Sequence, residues 1–573
     1  MRWIIKPKPD PKIVGKLSSE LGVENTIAYL LAQRGIENFE QAKVFFRPQL
    51  TDLHNPYLMK DMDKAVARIK SAISEKQSIL IYGDYDVDGT TSVALLANYL
   101  QSKKVDVGTY IPDRFLEGYG ISNKGIDYAS KSGYSLIIAL DCGIKALDKI
   151  EYAKAIGIDF IICDHHLPGE KLPDAFAVLD PKRPDCNYPF KELCGCGVGF
   201  KLVQALGEHF NDSVGDLVDY LDLVATAIGA DIVPVIGENR ILAYHGLKVL
   251  NSNPRPGFEA IIQGLKKDVL SLTDVVFNIA PRINAAGRMK HADFAVTLLK
   301  ANRLSKVKSI AEDIENFNIE RRSLESEITK EALFQITAAN DAKKSTTVVY
   351  DSEWNKGVIG IVASRLLEVY YRPTIVFTKS DEFLTASARS VKGFNIYNAL
   401  ENCREFIEQF GGHKYAAGLT IKPKNLSAFK NAFENEVKAT LNEELKTPEI
   451  IIDTTIELDD LNPKFYRILK QFSPFGPQNT APIFVTESVV GTGHSRCVGK
   501  DEQHLKITVK KGESKSINAI GFGLGGKHSL VKNQALFNMA YTLDENVWDG
   551  KSSLQLRICL LYTSDAADER SSV

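Results

Sequence analysis

Residues 78–89 read SILIYGDYDVDG. A short unbroken apolar run closed by a turn residue is the mark of a strand buried on both faces, as strands of parallel sheets are. Three aspartates at alternate positions follow at once: Asp84, Asp86 and Asp88. Working outward, a helix is expected over about residues 91–102 and a second strand over 105–112. LIIAL (136–140) reads as a third strand and FIIC (160–163) as a fourth. Strands alternating with helices predict a parallel sheet with helices on both faces. Each apolar run again ends on polar groups: Asp141 after the third strand, and Asp164, His165 and His166 after the fourth. Ligands in open α/β sheets sit beyond the carboxyl ends of the strands, so these groups are expected to converge. Asp231, in GADIVPV after an apolar segment, is a further candidate.

The chain has 573 residues, which at about 100–200 per domain implies three or four domains. Hydrophobic residues make up 44% and charged residues 25%, ordinary values for a globular protein. No apolar run is long enough to span a membrane, and MRWIIKPKPDPK does not read as a secretion signal, so a cytoplasmic location is expected. The eight cysteines make no disulfide framework; Cys194 and Cys196, in CGCG, lack a second pair at zinc spacing and read as buried thiols. Net charge is −2, so a nucleic-acid ligand would need a local basic groove, not a global field.

Between residues 305 and 340, Ile310, Ile314, Phe317, Leu324, Ile328 and Ile336 recur at helical spacing with no Pro or Gly, which predicts one long helix between domains. A second α/β region starts near residue 346, with strands at 348–350 and 374–377. A β-rich region starts near 450. SLQLRI (553–558) reads as a strand that CLLYTSDAADERSSV does not continue. Residues 559–569 resemble the translation of a sequencing adapter, so residues 559–573 are expected to be foreign to the natural chain.

Several carboxylates within a few ångströms repel one another, and divalent cations remove that conflict. Carboxylate plus imidazole suits Mn²⁺ or Mg²⁺, and two ions about 3.5–4 Å apart would serve phosphoester hydrolysis. DxDxDG also resembles the opening of a calcium-binding EF-hand loop, but the twelfth position from Asp84 is Leu95, where that loop needs a bidentate Glu. An Asp-His-His string alone is weak evidence; its recurrence with strand-end acids in order is what points to a site.

At these residues the sequence resembles the DHH phosphoesterase superfamily, and within it the RecJ single-strand exonuclease branch. YGDYDVDG (82–89), ALDCG (139–143), CDHH (163–166) and ADIVP (230–234) match its four motifs in order. PDRFLEGYG (112–120), NIAPRINAAGRM (278–289), SAR (387–389) and GGHKYAAG (411–418) match further on. PFGPQNTAPIF (474–484) is similar to the branch's oligonucleotide-binding segment, and the likeness covers roughly residues 50–558. The resemblance implies a doubly wound parallel-sheet DHH catalytic domain (51–304) after an N-terminal segment (1–50), and a connecting helix (305–340). A DHH-associated α/β domain (341–445) and an OB-type β domain (446–558) would follow.

By the same resemblance, Asp86, Asp88, Asp141, His165 and Asp231 are metal ligands, with Asp141 bridging two ions. His166 contacts the scissile phosphate or stabilises its developing charge, and Asp84 and Asp164 orient these groups. Related enzymes often have histidine where Tyr82 stands, which would leave one metal short of a protein ligand. Arg114, Arg282, Arg288 and Arg389 are candidate phosphate anchors, with Ser387 and His413 beside them, because guanidinium offers phosphate a planar two-pronged donor. Phe475 and Phe484 are candidate stacking platforms for bases. The implied activity is 5′-to-3′ exonuclease action on single-stranded DNA in repair and recombination. A single-strand-binding protein and a helicase are the implied partners, and the chain is expected to be a monomer.

Two other readings compete. A phosphoesterase of the same superfamily acting on dinucleotides, cyclic dinucleotides or pyrophosphate predicts the same site without a third domain. A DNA-binding scaffold that has lost its metals predicts eroded acidic motifs, and here all four are intact.

Overall fold

The computed structural model describes residues 2–265, 267–532, 535–548 and 551–562. The apolar runs around residue 80 become one parallel sheet of five strands. They are β1 (Ile79–Gly83), β2 (Val107–Tyr110), β3 (Leu136–Leu140), β4 (Asp159–Cys163) and β5 (Ala177–Leu179), in the order β2-β1-β3-β4-β5. Alternate side chains serve opposite faces. Ile79, Ile81, Ile138 and Ile161 enter one core, and Leu80, Tyr82, Ile137 and Ile162 enter the other. From β1 the chain steps to one side and then crosses back to the other. The carboxyl ends of β1 and β3 therefore flank the switch-point crevice where such sheets take their ligands.

Helix α1 (Val87–Ser102) starts four residues before the expected position, because Asp86 caps it by accepting the Gly89 N–H at 3.1 Å. Three further helices frame the crevice: α2 (Gly195–Phe210), α3 (Leu221–Ala230) and α4 (Ala280–Met289). The long helix α5 spans Leu304–Ala338. Its first half buries Val307 and Ile314 in the first domain. Its second half buries Ile328, Ala332 and Ile336 against Trp354 and Val358 of the second. It is a strut packed at both ends rather than a free spacer.

The second domain holds β6 (Thr347–Tyr350), α6 (Ile359–Tyr370), β7 (Thr374–Ser380), β8 (Phe383–Arg389), β9 (Gln409–His413), β10 (Ala416–Ile421) and α7 (Leu426–Thr440). Its strand order is β9-β10-β8-β7-β6, with only β6 and β7 parallel.

The last region comprises β11 (Thr454–Thr455), β12 (Phe484–Gly491), β13 (Arg496–Val498), β14 (His504–Lys510), β15 (Ile517–Gly521), β16 (Phe537–Trp548) and β17 (Lys551–Tyr562). β12 pairs with both β16 and β14, which closes the sheet into a small barrel of OB type. The N-terminal segment does not stand apart. Leu17, Ile27, Leu30 and Leu31 share one core with Phe465, Phe472 and Phe484 of the barrel region, and the strand Arg2–Ile5 pairs with Glu449–Ile452.

Two expectations change here. Phe484 is fully buried against Phe465 and Tyr541, and Phe475 packs on the same core, so neither is a free stacking surface. β17 does not stop at Ile558. Cys559–Tyr562 is apolar enough to continue the strand, and Leu561, opposite Met539, is buried. Residues 563–573, the rest of the stretch read as foreign, lie outside the described residues.

The turn 474–479 fastens the barrel to the first domain. The Val235 N–H donates to the Pro477 carbonyl at 2.8 Å. The buried Arg240 guanidinium donates to the carbonyls of Phe45, Phe472 and Ser473 at 3.0, 2.8 and 3.1 Å and lies 3.9 Å over the Phe45 ring.

Candidate metal and phosphate site

The strand-end residues meet in the crevice. His165 Nε2 lies 3.1 Å from Asp141 Oδ1, 3.5 Å from Asp231 Oδ2 and 3.7 Å from Asp88 Oδ2. His166 closes a second group with Asp141 and His165. Asp231 caps the C-terminus of α3, and Asp86 stands at the start of α1 with its charge acting on Asp88 and Asp141.

The backbone holds these groups from below. Asp88 accepts the Gly195 and Cys196 N–H groups at 2.6 and 2.7 Å, so the N-terminus of α2 steadies it. Asp141 has φ 61°, in the left-handed region, and a Cβ on Gly195 would stand 2.6 Å from the Asp141 Cβ. CGCG therefore contributes backbone donors and a missing side chain, while its buried thiols pack beneath. Asp164 accepts the His165 and Ile144 N–H groups at 2.7 and 2.9 Å and holds His166 Nδ1 at 2.7 Å. The far nitrogen of His166 is 3.3 Å from the Tyr119 hydroxyl.

Burial, and then the charge of Asp86, raises Asp88 to about 7. Burial, then Asp88 and Asp86, raises Asp231 to about 8. Asp84 and Asp141 are pushed well above the usual carboxylate range, by burial first and by neighbouring carboxylates second. Burial also holds His165 neutral, at about 3. For Asp164 burial is outweighed by the His166 hydrogen bond and charge, which hold it at about 2. The same pair raises His166 to about 9 against its own burial. Asp84 Oδ2, Asp141 Oδ1 and His165 Nε2 are buried without a hydrogen bond.

Tyr82 is not at this site. Its ring stacks on Tyr110 on the other face of the sheet, and its hydroxyl donates to Gly120 O at 2.9 Å and accepts from Ser122 N at 3.1 Å.

The cations arrive from both domains. Arg114 lies 4.6 Å over the Tyr85 ring. Arg389 donates to Ser387 Oγ at 2.9 Å on β8, where Gly360 leaves them room. His413 ends β9, two strands away, and is lowered by burial, then by Arg389 and His166. Arg288 crosses to the second domain by donating to Gly357 O at 2.9 Å. It is lowered to about 9, by burial first and then by Arg114 and Arg389. Among the described residues none of Arg114, Arg288 and Arg389 has a carboxylate within 4 Å, so their charge faces the crevice uncompensated. Arg282 is not brought to this pocket. It pairs with Glu315 at 2.5 Å, in a groove of about 630 Å³ along α5 that Arg321, Arg322 and Lys330 also line.

The comparisons with known proteins agree along the chain. Residues 78–228 match the DHH family N-terminal domain, 343–439 the DHHA1 domain and 452–559 the RecJ OB domain. The single-stranded-DNA-specific exonuclease RecJ of Bacillus subtilis is 37% identical over 97% of this chain and 70% of its own length. The chain belongs to the RecJ family. Escherichia coli RecJ is 31% identical over 92% of this chain and 94% of its own length. The structure of RecJ from Thermus thermophilus in complex with Mn²⁺ superposes with a TM-score of 0.84 at 26% identity. It covers 98% of this chain and 79% of that one, and that protein has also been solved with Mg²⁺.

Within this RecJ frame three residues escape the sequence pattern. Asp180 is fully buried just past β5, with Oδ2 unpartnered; burial raises it to about 7. Its strand, AVL, is too short to stand out from sequence. Tyr119 and Tyr85 sit inside the quoted motifs, but only the fold shows that one reaches His166 and the other carries Arg114.

Proposed function

We propose that the chain is a divalent-metal-dependent exonuclease that shortens single-stranded DNA from the 5′ end, in DNA repair and recombination. One observation carries this reading: Asp88, Asp141 and Asp231 gather within 4 Å of the neutral His165, beside an uncompensated cationic pocket. The donor set fits Mn²⁺ or Mg²⁺, because carboxylate oxygens and an imidazole nitrogen are buried there without a hydrogen bond, and the cation beside them, His166, is held by Asp164.

Asp86, Asp88, Asp141, His165 and Asp231 would hold two ions, with Asp141 between them and Asp84 Oδ2 free beside them. Bound there, the ions would supply an acidified water and neutralise charge on the phosphodiester. Asp164 keeps His166 protonated and aimed, so that His166 can donate to the scissile phosphate. Arg114, Ser387, Arg389 and His413 would receive the terminal phosphate, and Arg288 joins the two walls of that pocket. Arg282, paired with Glu315, takes no part in that pocket.

Specificity for single strands would come from the narrow crevice and a stacking surface. On the barrel Phe522 is exposed, with His504 and Arg557 at 5.2 Å from its ring, in place of the two buried phenylalanines. A cytoplasmic monomer acting with a single-strand-binding protein and a helicase completes the reading.

The test is digestion of an oligonucleotide labelled at either end, with Mn²⁺, Mg²⁺ or EDTA. Mononucleotide release from the 5′ label, stopped by EDTA and absent on blunt duplex, is expected. Cleavage confined to dinucleotides would replace this reading with the small-substrate one.

A further inference from the structure

The crest of the first sheet continues past His166 into a groove that neither the metal cluster nor the phosphate anchors use. It has a volume of about 700 Å³ and runs from Leu167 past Lys182, Asn187 and Lys191. Its bed is fixed. Arg183 is buried and donates to Asp61, Asp185 and the Val178 carbonyl at 2.7, 2.8 and 2.6 Å. Lys191 Nζ donates to Cys186 O at 2.6 Å, and Tyr188 fastens the floor through Glu238 at 2.7 Å.

On that bed Lys182 has no carboxylate within 4 Å among the described residues, and its charge reaches Asp231 and His165. Leu167, directly after the histidine pair, is 70% exposed. Lys182 and Lys191 beside an apolar wall, with Asn187 as the one neutral amide and Glu192 as the one carboxylate on the lining, suit phosphates and sugar rather than base edges. The other groove, along α5, pairs Arg282, Arg321 and Arg365 with Glu315 and Glu325 but keeps Arg322 and Lys330 without a carboxylate within 4 Å among the described residues, so charge alone does not choose between the two grooves and the order of the strands does.

Strand order sets the direction. Arg114 follows β2 at one edge of the sheet, and Lys182 follows β5 at the other. Four strand spacings of about 4.8 Å separate those edges, roughly 19 Å, with the carboxylate cluster between them. A strand whose end phosphate lies at Arg114 and Arg389, and whose next phosphodiester lies at the cluster, is aimed into this groove.

We infer that the groove from Leu167 to Lys191 holds the DNA strand on the 3′ side of the scissile phosphate, with Lys182 and Lys191 on successive phosphates. This rests on the exonuclease reading above. A 5′-phosphorylated dodecamer reaches the groove and a 5′-phosphorylated dinucleotide does not, so the two substrates separate the groove from the chemistry. In the double variant Lys182→Ala, Lys191→Glu, the ratio of dodecamer to dinucleotide kcat/KM falls at least about fivefold, the loss of roughly one charged contact. The salt dependence of dodecamer binding also becomes shallower. A smaller fall in the ratio overturns the inference. The unaltered chain gives an independent readout: 4-thiothymidine as the third nucleotide of a Ca²⁺-held oligonucleotide crosslinks within residues 167–191. Crosslinks confined to 277–330 would instead put the strand along α5 and overturn the inference. An unaltered chain that cleaves neither substrate removes the exonuclease reading and the inference with it.

Discussion

Two walls face each other across the crevice, and they place their functional side chains by different means. On the first domain all the groups but one follow the end of a strand: Asp84 to Asp88 after β1, Asp141 after β3, Asp164 to His166 after β4, whereas Asp231 caps helix α3. The strand-end placements are local, and the parallel sheet brings the ends together. On the second domain Ser387, Arg389 and His413 are joined by register. Ala416 on β10 pairs with Arg389 on one side and His413 on the other. A slip of one residue there would turn each side chain to the opposite face. The first wall tolerates change in its loops, whereas the second depends on pairing between segments about twenty-five residues apart.

The largest effect is expected from breaking the first wall at its centre. Asp141→Asn keeps a side chain that tolerates the left-handed backbone but removes the charge shared by the cluster. Hydrolysis should fall by about a thousandfold or more, with the metal-free melting temperature unchanged or higher because repulsion is relieved. Activity within tenfold of the unaltered chain would rule out the central role of Asp141.

The second wall should answer through binding. Arg389→Ala is expected to raise KM for 5′-phosphorylated ends about 10–100-fold, with a smaller change in kcat, as loss of charge-assisted hydrogen bonds predicts. An unchanged KM would detach this wall from the terminal phosphate.

The contrast also explains what the sequence makes legible. Strand-end acids are visible because an apolar run and the polar group after it are neighbours in the chain; Asp84 through Asp88 and Asp164 through His166 need no partner to be seen. The N–H groups of Gly195 and Cys196 that hold Asp88 come from a helix over a hundred residues away, and nothing in CGCG announces them. Phe484 misleads for the same reason: an aromatic near a proline-rich turn looks like a platform until closure of the barrel buries it. Arg282 lies in a matching motif but on a helix whose neighbour supplies Glu315, a pairing no local pattern contains.

Tyr82 sharpens the comparison, because it sits on the first wall yet turns away from the crevice. Tyr82→Phe would strand the Ser122 N–H and the Gly120 carbonyl in a buried site, at a cost of about 1–3 kcal/mol in stability. Mn²⁺ affinity measured by calorimetry should stay the same; a tenfold change would restore Tyr82 to the metal site.

The smallest effect is a matter of pH. Asp88 and Asp231, raised to about 7 and 8, hold protons in the folded chain that the unfolded chain has already lost above about 4. The folded state thus binds more protons, and metal-free stability falls as pH rises from 6 to 8. Bound cations cancel that penalty, so the rise in melting temperature on adding Mn²⁺ should be a few degrees greater at pH 8 than at pH 6. An equal rise at both would mean these carboxylates are already ionised in the metal-free protein.

Arg240 has a consequence for how such experiments separate. Its buried guanidinium is surrounded by main-chain carbonyls and an aromatic ring, with no carboxylate partner among the described residues. Dipoles do not titrate, and a contact sealed from solvent is little screened by dissolved ions. Raising the ionic strength should therefore strip DNA from the surface while the barrel stays locked to the catalytic domain. Affinity and architecture then become separable variables: small-angle scattering across a salt series would keep one shape while the dissociation constant climbs.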